Sequence, residues 1–266
     1  MAMHHDDEIK TKQFKYHQME PLVSVIMPAY NCADFIGTTL DSVIAQTYQN
    51  WEILVVDDCS TDHTEEVIRS YVEHYPGIRY YKLDENYGPA VARNKAVEMA
   101  DGKYLAFLDS DDIWLPQKLE KQIRFMREKG CTFTCTGYNK IDEQGKPMGR
   151  VIGARSVSNY EDILKRNPGN STVMYDAEVL GKALIPDIRK RNDYVMWLQV
   201  IKKAKYLYGI QETLGSHRIR TGSLSRNKAS LVYYHWKVYR DIEGLSLAKS
   251  IYLVFYWIFA TVFKLR

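Results

Sequence analysis

The chain has 266 residues, which suffice for one large domain or two small domains with a sizeable core. Its formal net charge of +3 is too small to indicate nucleic acid as the main partner. The four cysteines lack the spacing of a zinc site and fit reduced packing residues of a cytoplasmic protein. Residues 1–20 form a polar leader without the apolar segment of a secretory signal.

Apolar strands alternate with amphipathic helices over the first half of the chain. Strands that are apolar along their whole length, separated by helices, indicate an α/β fold with a mostly parallel sheet and helices on both faces. Ligands of such sheets bind beyond the carboxyl ends of the strands, so polar residues at those ends are expected to share one crevice. The predicted strands are 22–27, 51–56, 78–83 and 104–108, and the predicted helices are 34–46, 64–75 and 89–100.

Three carboxylates, Asp109, Asp111 and Asp112, follow the apolar segment 104–108 within four positions. A buried strand cannot hold three acids in its interior, so they must lie where it leaves the sheet. Like charges this close raise each other's pKa unless a cation joins them, and a divalent metal ion is the simplest such cation. Alternatively, one of the acids caps the helix predicted to start near Pro116.

The rest of the chain is more varied in composition. A basic helix is predicted over 116–129, strands over 131–139, 171–175 and 204–210, a helix over 193–203 and a basic loop over 216–226. The apolar segment 251–263, at about 13 residues, is too short to span a membrane. With its flanking cations and aromatic residues, 245–266 suits a helix in a membrane surface; alternatively it packs on the domain or on a second subunit of a homo-oligomer.

Four segments resemble, in order and at family-like spacing, the inverting family 2 glycosyltransferases of the GT-A fold. They are residues 25–31, 55–62, 86–94 and 107–112. Within that family the chain resembles bacterial cell-surface polysaccharide transferases, such as the teichuronic acid type. The resemblance implies a GT-A domain over 21–225, with a nucleotide-binding half at 21–115 and an acceptor half at 116–225. This domain would be Rossmann-like, and residues 226–266 would form its C-terminal helical extension.

The resemblance also implies a metal site. Asp109 and Asp111 correspond to the family's Asp-X-Asp motif, with Asp111 as the direct ligand of Mn²⁺ or Mg²⁺. Asp109 and Ser110 would lie near the donor ribose and the metal-bound waters. Asp112 would touch the sugar or cap the next helix. The metal would neutralise the departing diphosphate of a nucleotide sugar.

The nucleotide would be recognised at the ends of the first two strands. By the resemblance, Asp58 accepts a hydrogen bond from the uracil N3–H, which implies a UDP-sugar donor. Arg93 would reach the diphosphate or form a salt bridge with Asp109. The residues that would approach the nucleotide, with the aromatic ring beside the base, are Pro28, Ala29, Tyr30 and Asn31.

An inverting transfer needs a base that deprotonates the acceptor hydroxyl. Residues 191–198 resemble the family's Glu-Asp motif at a helix start, which implies that Asp193 is this base. Asn192 stands where the family often has Glu, so the auxiliary carboxylate is absent. Alternatively, Asp193 only caps its helix. The side chains expected on the acceptor side are Ser171, Thr172 and Trp197.

Residues 217–225 resemble the family's Arg-X-His-X-Gly-Ser-X-Ser loop, but Arg220 stands at the position of the His. An Arg cannot ligate a metal, so we expect Arg218 or Arg220 to contact the diphosphate as the loop closes. His217 could be a substitute ligand, although a single loop His is more often simply exposed.

Together these features predict a metal-dependent inverting transferase. It would move a sugar from UDP to a hydroxyl of a cell-surface glycan or a polyprenyl-linked acceptor, at the inner face of the cell membrane. Two alternatives remain from the sequence. A sugar nucleotidyltransferase would need a Gly-rich basic phosphate loop, which residues 28–31 are not. A non-catalytic domain could bind the nucleotide sugar or a membrane partner.

Overall fold

The structure is a computed structural model that describes residues 20–188, 190–220 and 228–263, the last range without the side chains of 228 and 229. The leader predicted over 1–20 therefore lies outside the described residues except for Glu20. Residues 221–227 of the predicted basic loop and residues 264–266 of the predicted C-terminal helix also lie outside them.

The first four strands form a parallel sheet in the order β3, β2, β1, β4, with helices between them, as the sequence predicts. Each predicted element is present, with its ends shifted by a few residues. The strands are β1 (Val23–Ala29), β2 (Trp51–Asp57), β3 (Ile78–Lys82) and β4 (Tyr104–Phe107), and the helices are α1 (Ala33–Ile44), α2 (Thr64–His74) and α3 (Pro89–Met99).

Side chains that alternate along a strand enter two separate hydrophobic cores. Ile26 and Leu54 lie in the core on one face of the sheet, whereas Val25 and Ile53 lie in the core on the other face. All four are fully buried. Burial on both faces explains why β1 and β2 are apolar without interruption, and it confirms that helices cover both sides of the sheet.

Beyond β4 the sheet continues with strands of both directions, in the order β9, β6, β10, β5. β9 is antiparallel to both β4 and β6, whereas β10 is parallel to β6. β10 reaches Arg218 and so includes the start of the segment predicted as a loop over 216–226, because pairing with β5 and β6 satisfies its backbone groups. The elements of this half are β5 (Ile113–Trp114), α4 (Lys118–Lys129), β6 (Phe133–Ile141), β7 (Pro147–Ile152), β8 (Val157–Ser158), α5 (Tyr160–Lys165), a 3₁₀ turn (Asn170–Thr172), β9 (Met174–Asp176), α6 (Ala177–Leu180), α7 (Asn192–Ala204) and β10 (Leu207–Arg218).

Helices follow at the C-terminal end: α8 (Lys228–Lys237), a π-helical turn (Val238–Ile242) and α9 (Leu247–Val262). α9 packs on α5 and α8 through a buried side that includes Leu253 and Trp257. Its other side is exposed, with Phe255 67% and Phe259 53% accessible. Within the described ranges, none of the helices combines the length and the apolar character that crossing a membrane requires.

Candidate active site

A pocket of about 820 Å³ opens where the strands of the parallel half end. It extends across the sheet to the start of α7, so residues from both predicted halves share it. The predicted site residues that line this pocket are Pro28, Ala29, Tyr30, Asn31, Asp58, Arg93, Asp109, Ser110, Asp111, Thr172, Asp193, Arg218 and Arg220.

The ends of β1 and β2 are tied together beside this pocket. Asn31 has a left-handed φ of 43°, and its Oδ1 accepts a hydrogen bond of 2.9 Å from the backbone N–H of Thr61. Asp57 has a structural role, because its carboxylate accepts hydrogen bonds from the backbone N–H and the hydroxyl of Ser60 and from the Tyr80 hydroxyl. Among the pocket-lining residues at the ends of β1 and β2, Asp58 supplies the carboxylate that can meet a ligand.

Asp58 is held by the turn before α3. Its two oxygens accept hydrogen bonds of 2.8 Å from the backbone N–H groups of Tyr87 and Gly88. Burial raises the pKa of Asp58 above its ordinary value, and these two N–H groups partly offset that effect. Each carboxylate oxygen keeps a further lone pair for a ligand.

Asp109 joins residues of the two predicted halves of the domain. Its Oδ1 lies 3.2 Å from Nη2 of buried Arg93 and accepts a 2.7 Å hydrogen bond from Nδ2 of Asn170. Arg93 also donates to Oδ1 of Asn192, beside Asp193. The salt bridge expected as one option for Arg93 is therefore present. Desolvation raises the pKa of Asp109 to about 7 although Arg93 opposes the shift, and Asp112 and Asp111 add to it.

Asp111 forms an ion pair with Arg220. Its Oδ2 lies 2.7 Å from Nε of Arg220, and both side chains line the pocket. Desolvation and neighbouring Asp112 raise the pKa of Asp111, whereas Arg220 lowers it. Among the described residues there is no group of three or more His, Cys, Asp or Glu side chains that could hold a metal ion. Asp111 still fits Mg²⁺ or Mn²⁺, since Mg²⁺ commonly uses one or two carboxylates together with substrate phosphates.

Asp112 has neither of the roles predicted for it. It is 1% exposed, so it cannot touch a sugar, and α4 begins only at Lys118. Instead its carboxylate accepts hydrogen bonds from the Ser171 hydroxyl and the Arg218 backbone N–H, and lies 3.2 Å from Nδ1 of His217. Although burial opposes it, these partners hold the pKa of Asp112 below its ordinary value, and Asp112 raises the pKa of His217 to about 9.

Arg218 lines the pocket and is anchored by backbone carbonyls. Its Nε donates to the carbonyl of Asp111 at 2.8 Å, and its Nη1 donates to the carbonyls of Asp142 and Glu143. These bonds engage two of the three guanidinium nitrogens with backbone carbonyls. Of the two arginines expected at the diphosphate, Arg220 is therefore the better placed to meet a ligand.

Asp193 lies in the first turn of α7, and the residue at the cap position is Arg191. The alternative that Asp193 only caps its helix does not match this geometry. Its Oδ2 accepts a 2.8 Å hydrogen bond from Nδ2 of Asn167. Asn167 and Asn170 contact the two key carboxylates, Asp193 and Asp109, and neither asparagine was among the site residues predicted from the sequence.

The acceptor-side predictions have mixed outcomes. Thr172 lines the pocket, whereas Ser171 lies behind it and accepts a 3.1 Å hydrogen bond from the Asp109 backbone N–H. Trp197 was placed wrongly, because it is 0% exposed and does not line the pocket. Its ring packs edge-on against Phe107, with 4.8 Å between the ring centroids. Trp197 is therefore a core residue on the buried side of α7.

Comparisons with known proteins agree with this architecture. Residues 24–182 match the model of glycosyl transferase family 2. TuaG of Bacillus subtilis (strain 168), named for teichuronic acid biosynthesis, is 45% identical over 232 residues, which are 87% of this chain and 92% of TuaG. WfgD of Escherichia coli, named as a UDP-Glc:alpha-D-GlcNAc-diphosphoundecaprenol beta-1,3-glucosyltransferase, is 35% identical over 239 residues, which are 88% of this chain and 92% of WfgD.

Two solved structures share the fold. TarS 1–349 of S. aureus in complex with UDP-GlcNAc has a TM-score of 0.70 at 21% identity, over 89% of this chain and 71% of that one. The mannosyltransferase PcManGT of Pyrobaculum calidifontis, in complex with GDP-Man and Mn²⁺, has a TM-score of 0.62 at 19% identity, over 82% and 61% of the two chains. Family model, relatives and fold together show that this chain is a glycosyltransferase of family 2 with the GT-A fold.

Proposed function

We propose that this enzyme transfers a sugar from a UDP-sugar to a hydroxyl of a cell-surface glycan or lipid-linked acceptor, with inversion at the anomeric carbon. The observation that carries the proposal is that Asp193 lines the same pocket as Asp58, Asp109 and Asp111. A candidate base and the candidate donor-binding carboxylates can therefore meet one substrate pair. The names of the relatives TuaG and WfgD support the acceptor class.

Donor recognition is assigned to Asp58. Its carboxylate is fixed by two backbone N–H groups and can accept the uracil N3–H as a charge-assisted hydrogen bond. Cytosine has no hydrogen at N3, so the site favours uracil. The UDP-GlcNAc bound to TarS supports a UDP-sugar donor.

Asp111 is the residue assigned to hold Mn²⁺ or Mg²⁺, with Asp109 beside it. When bound, the metal ion supplies a Lewis acid for the departing diphosphate. Arg220 would then leave Asp111 and pair with a diphosphate oxygen, which suits its guanidinium fork. The Mn²⁺ in the PcManGT complex supports a metal in this fold.

Asp193 is assigned as the general base. Asn167 engages Oδ2, and within the described part of the chain Oδ1 has no hydrogen-bond partner. Oδ1 can therefore accept the proton of the acceptor hydroxyl as its oxygen attacks the anomeric carbon. Asn167 fixes the orientation of the carboxylate for that step.

We also place the enzyme at the inner face of the cell membrane, through residues 245–266. The outward side of α9 is apolar over four turns, and its side chains are 41% to 67% exposed. A helix of this kind can lie in the membrane interface. The alternative occupant of this side is a second subunit. The outward residues are Leu247, Ile251, Phe255, Phe259 and Val262.

Calorimetry with UDP tests the donor assignment. UDP is expected to bind, and to bind more tightly when Mn²⁺ or Mg²⁺ is present, because Asp111 would hold the metal ion and the metal ion would supply positive charge to the diphosphate. A wild-type protein that binds no UDP in the presence of metal would contradict the proposal. The variant Asp58→Asn is expected to lose the preference for UDP over CDP.

A further inference from the structure

The pocket continues past Asp193 into the acceptor half, where its wall is cationic. Arg166, Lys190 and Arg191 line this part. Of the carboxylates that line the pocket within the described residues, Asp193 alone comes from residues 116–225. This end of the pocket therefore carries an excess of positive charge.

The three cations flank the candidate base from two segments. The hydrogen bond from Asn167 to Asp193 ties these segments together at 2.8 Å. Arg166 directly precedes Asn167, and Lys190 and Arg191 precede Asp193 by three and two positions. Since consecutive Cα atoms are about 3.8 Å apart, the Cα atoms of the three cationic residues lie close to the hydrogen-bonded pair Asn167 and Asp193.

None of the three cations forms an ion pair with a carboxylate of the described residues. Arg166 Nη2 donates to the Gly153 carbonyl at 3.2 Å, and Lys190 Nζ donates to the Ser230 hydroxyl at 2.7 Å. Cationic groups that line a pocket and meet only neutral partners can form charge-assisted hydrogen bonds with an anionic ligand.

Arg191 adds two independent signs of a binding role. Its Nε is buried and has no hydrogen-bond partner among the described residues. Its backbone has a φ of 65°, which a non-glycine residue adopts at a cost and which concentrates at ligand-binding sites. The site therefore holds Arg191 in a costly conformation while leaving a guanidinium nitrogen unused.

The position of Arg191 also suggests where the anion comes from. Its guanidinium lies 5.7 Å from the centre of the Trp257 ring, on the buried side of α9. The opposite side of α9 is the exposed apolar surface that includes Phe255 and Phe259. One helix thus separates the cationic end of the pocket from the surface assigned to the membrane.

We propose that Arg166, Lys190 and Arg191 form a subsite for the diphosphate that joins the first sugar of the acceptor to its lipid. This inference rests on the proposed function, in which Asp193 deprotonates a lipid-linked acceptor. The acceptor sugar would lie at Asp193, its diphosphate at the three cations, and its hydrocarbon chain beyond α9. The donor diphosphate would remain on the side of Asp111 and Arg220.

Binding of a short lipid diphosphate tests this subsite. The enzyme is first saturated with UDP and Mn²⁺, so that the donor site is filled, and is then titrated with farnesyl diphosphate, inorganic pyrophosphate and farnesol by calorimetry. Farnesyl diphosphate is expected to bind, and the double variant Lys190→Met/Arg191→Gln to bind it at least about tenfold more weakly. Arg166→Gln is also expected to weaken the binding of farnesyl diphosphate.

The matched control is Lys182→Met, because Lys182 is exposed and does not line the pocket. It is expected to bind farnesyl diphosphate as the wild type does. Unchanged affinity in the double variant would overturn the subsite. Equal affinity for pyrophosphate and farnesyl diphosphate, or binding of farnesol as tight as that of the diphosphate, would overturn its assignment to a lipid diphosphate.

UDP affinity separates this inference from the proposed function. The double variant is expected to bind UDP as the wild type does, which also shows that it is folded. If wild-type protein binds no UDP, the proposed function fails. If UDP binds and Asp193→Asn abolishes transfer while the double variant keeps its affinity for farnesyl diphosphate, only the subsite fails.

Discussion

Arg220 and Asp111 form an ion pair across the pocket, with Nε of the arginine 2.7 Å from Oδ2 of the carboxylate. By the resemblance seen in the sequence, Arg220 stands at the position of a His, so the chain presents a cation to its own candidate metal ligand. The segment before it is firmly anchored, because Arg218 donates to the carbonyls of Asp111, Asp142 and Glu143. Arg220 and a divalent metal ion held at Asp111 would therefore compete for one carboxylate.

The first prediction concerns this competition. Arg220→Gln is expected to bind Mn²⁺ about three- to tenfold more tightly than the wild type when UDP is absent, since Asp111 loses its competing cation. The free Mn²⁺ signal in electron paramagnetic resonance measures this affinity. Arg69→Gln, which breaks the exposed pair with Glu65 on α2, is the control. Equal or weaker Mn²⁺ binding by Arg220→Gln would contradict the competition.

The second prediction concerns Asn167. Removing its amide in Asn167→Ala frees the Asp193 carboxylate to rotate, so kcat is expected to fall about 10- to 100-fold with unchanged UDP affinity. Asn167→Asp keeps the size of the side chain but replaces the hydrogen-bond donor with an oxygen that repels the Asp193 carboxylate, so kcat is expected to fall in this variant too. Wild-type kcat in both variants would show that Asn167 does not orient the base.

The third prediction concerns Trp197, which is a core residue in the structure. Trp197→Ala is expected to lower the free energy of unfolding by about 3–5 kcal/mol, because it leaves a cavity against Phe107 and Phe133. Denaturant titration measures this loss. In the milder variant Trp197→Phe the KM for the acceptor is expected to stay at the wild-type value. A raised acceptor KM without loss of stability would restore an acceptor role.

The fourth prediction concerns the exposed side of α9. Phe255→Glu/Phe259→Glu is expected to reduce co-sedimentation with vesicles of phosphatidylethanolamine and phosphatidylglycerol at least about tenfold, since it places charge in the apolar surface. Val179→Glu changes an equally exposed residue on α6 and serves as the control. Unchanged sedimentation with vesicles, combined with conversion of a dimer to a monomer, would assign this side to a second subunit.

The sequence predicted the parallel half of the fold because its signals are local. Uninterrupted apolar strands and helical spacing occur within segments of a dozen residues, and the polar ends of β1, β2 and β4 follow directly from them. The antiparallel pairing of β9 with β4 joins residues about 70 positions apart, which no local pattern reports.

Long-range contacts also explain the misplaced site residues. Trp197 lies four positions after Asp193, so helical spacing puts both on similar sides of α7. The ring of Trp197 is buried because it packs against Phe107 and Phe133 in the core. Asn167 reaches Asp193 across 26 positions of sequence, so its contact could be found only once the fold was known.

The variant Asp193→Asn tests the central claim most directly. It keeps the size and shape of the side chain while removing the base, so UDP affinity measured by calorimetry with Mn²⁺ is expected to stay within about twofold of the wild type. Sugar transfer is expected to fall about 10²- to 10⁴-fold, which is the usual contribution of general base catalysis. Wild-type turnover in Asp193→Asn would show that another group takes the proton of the acceptor hydroxyl.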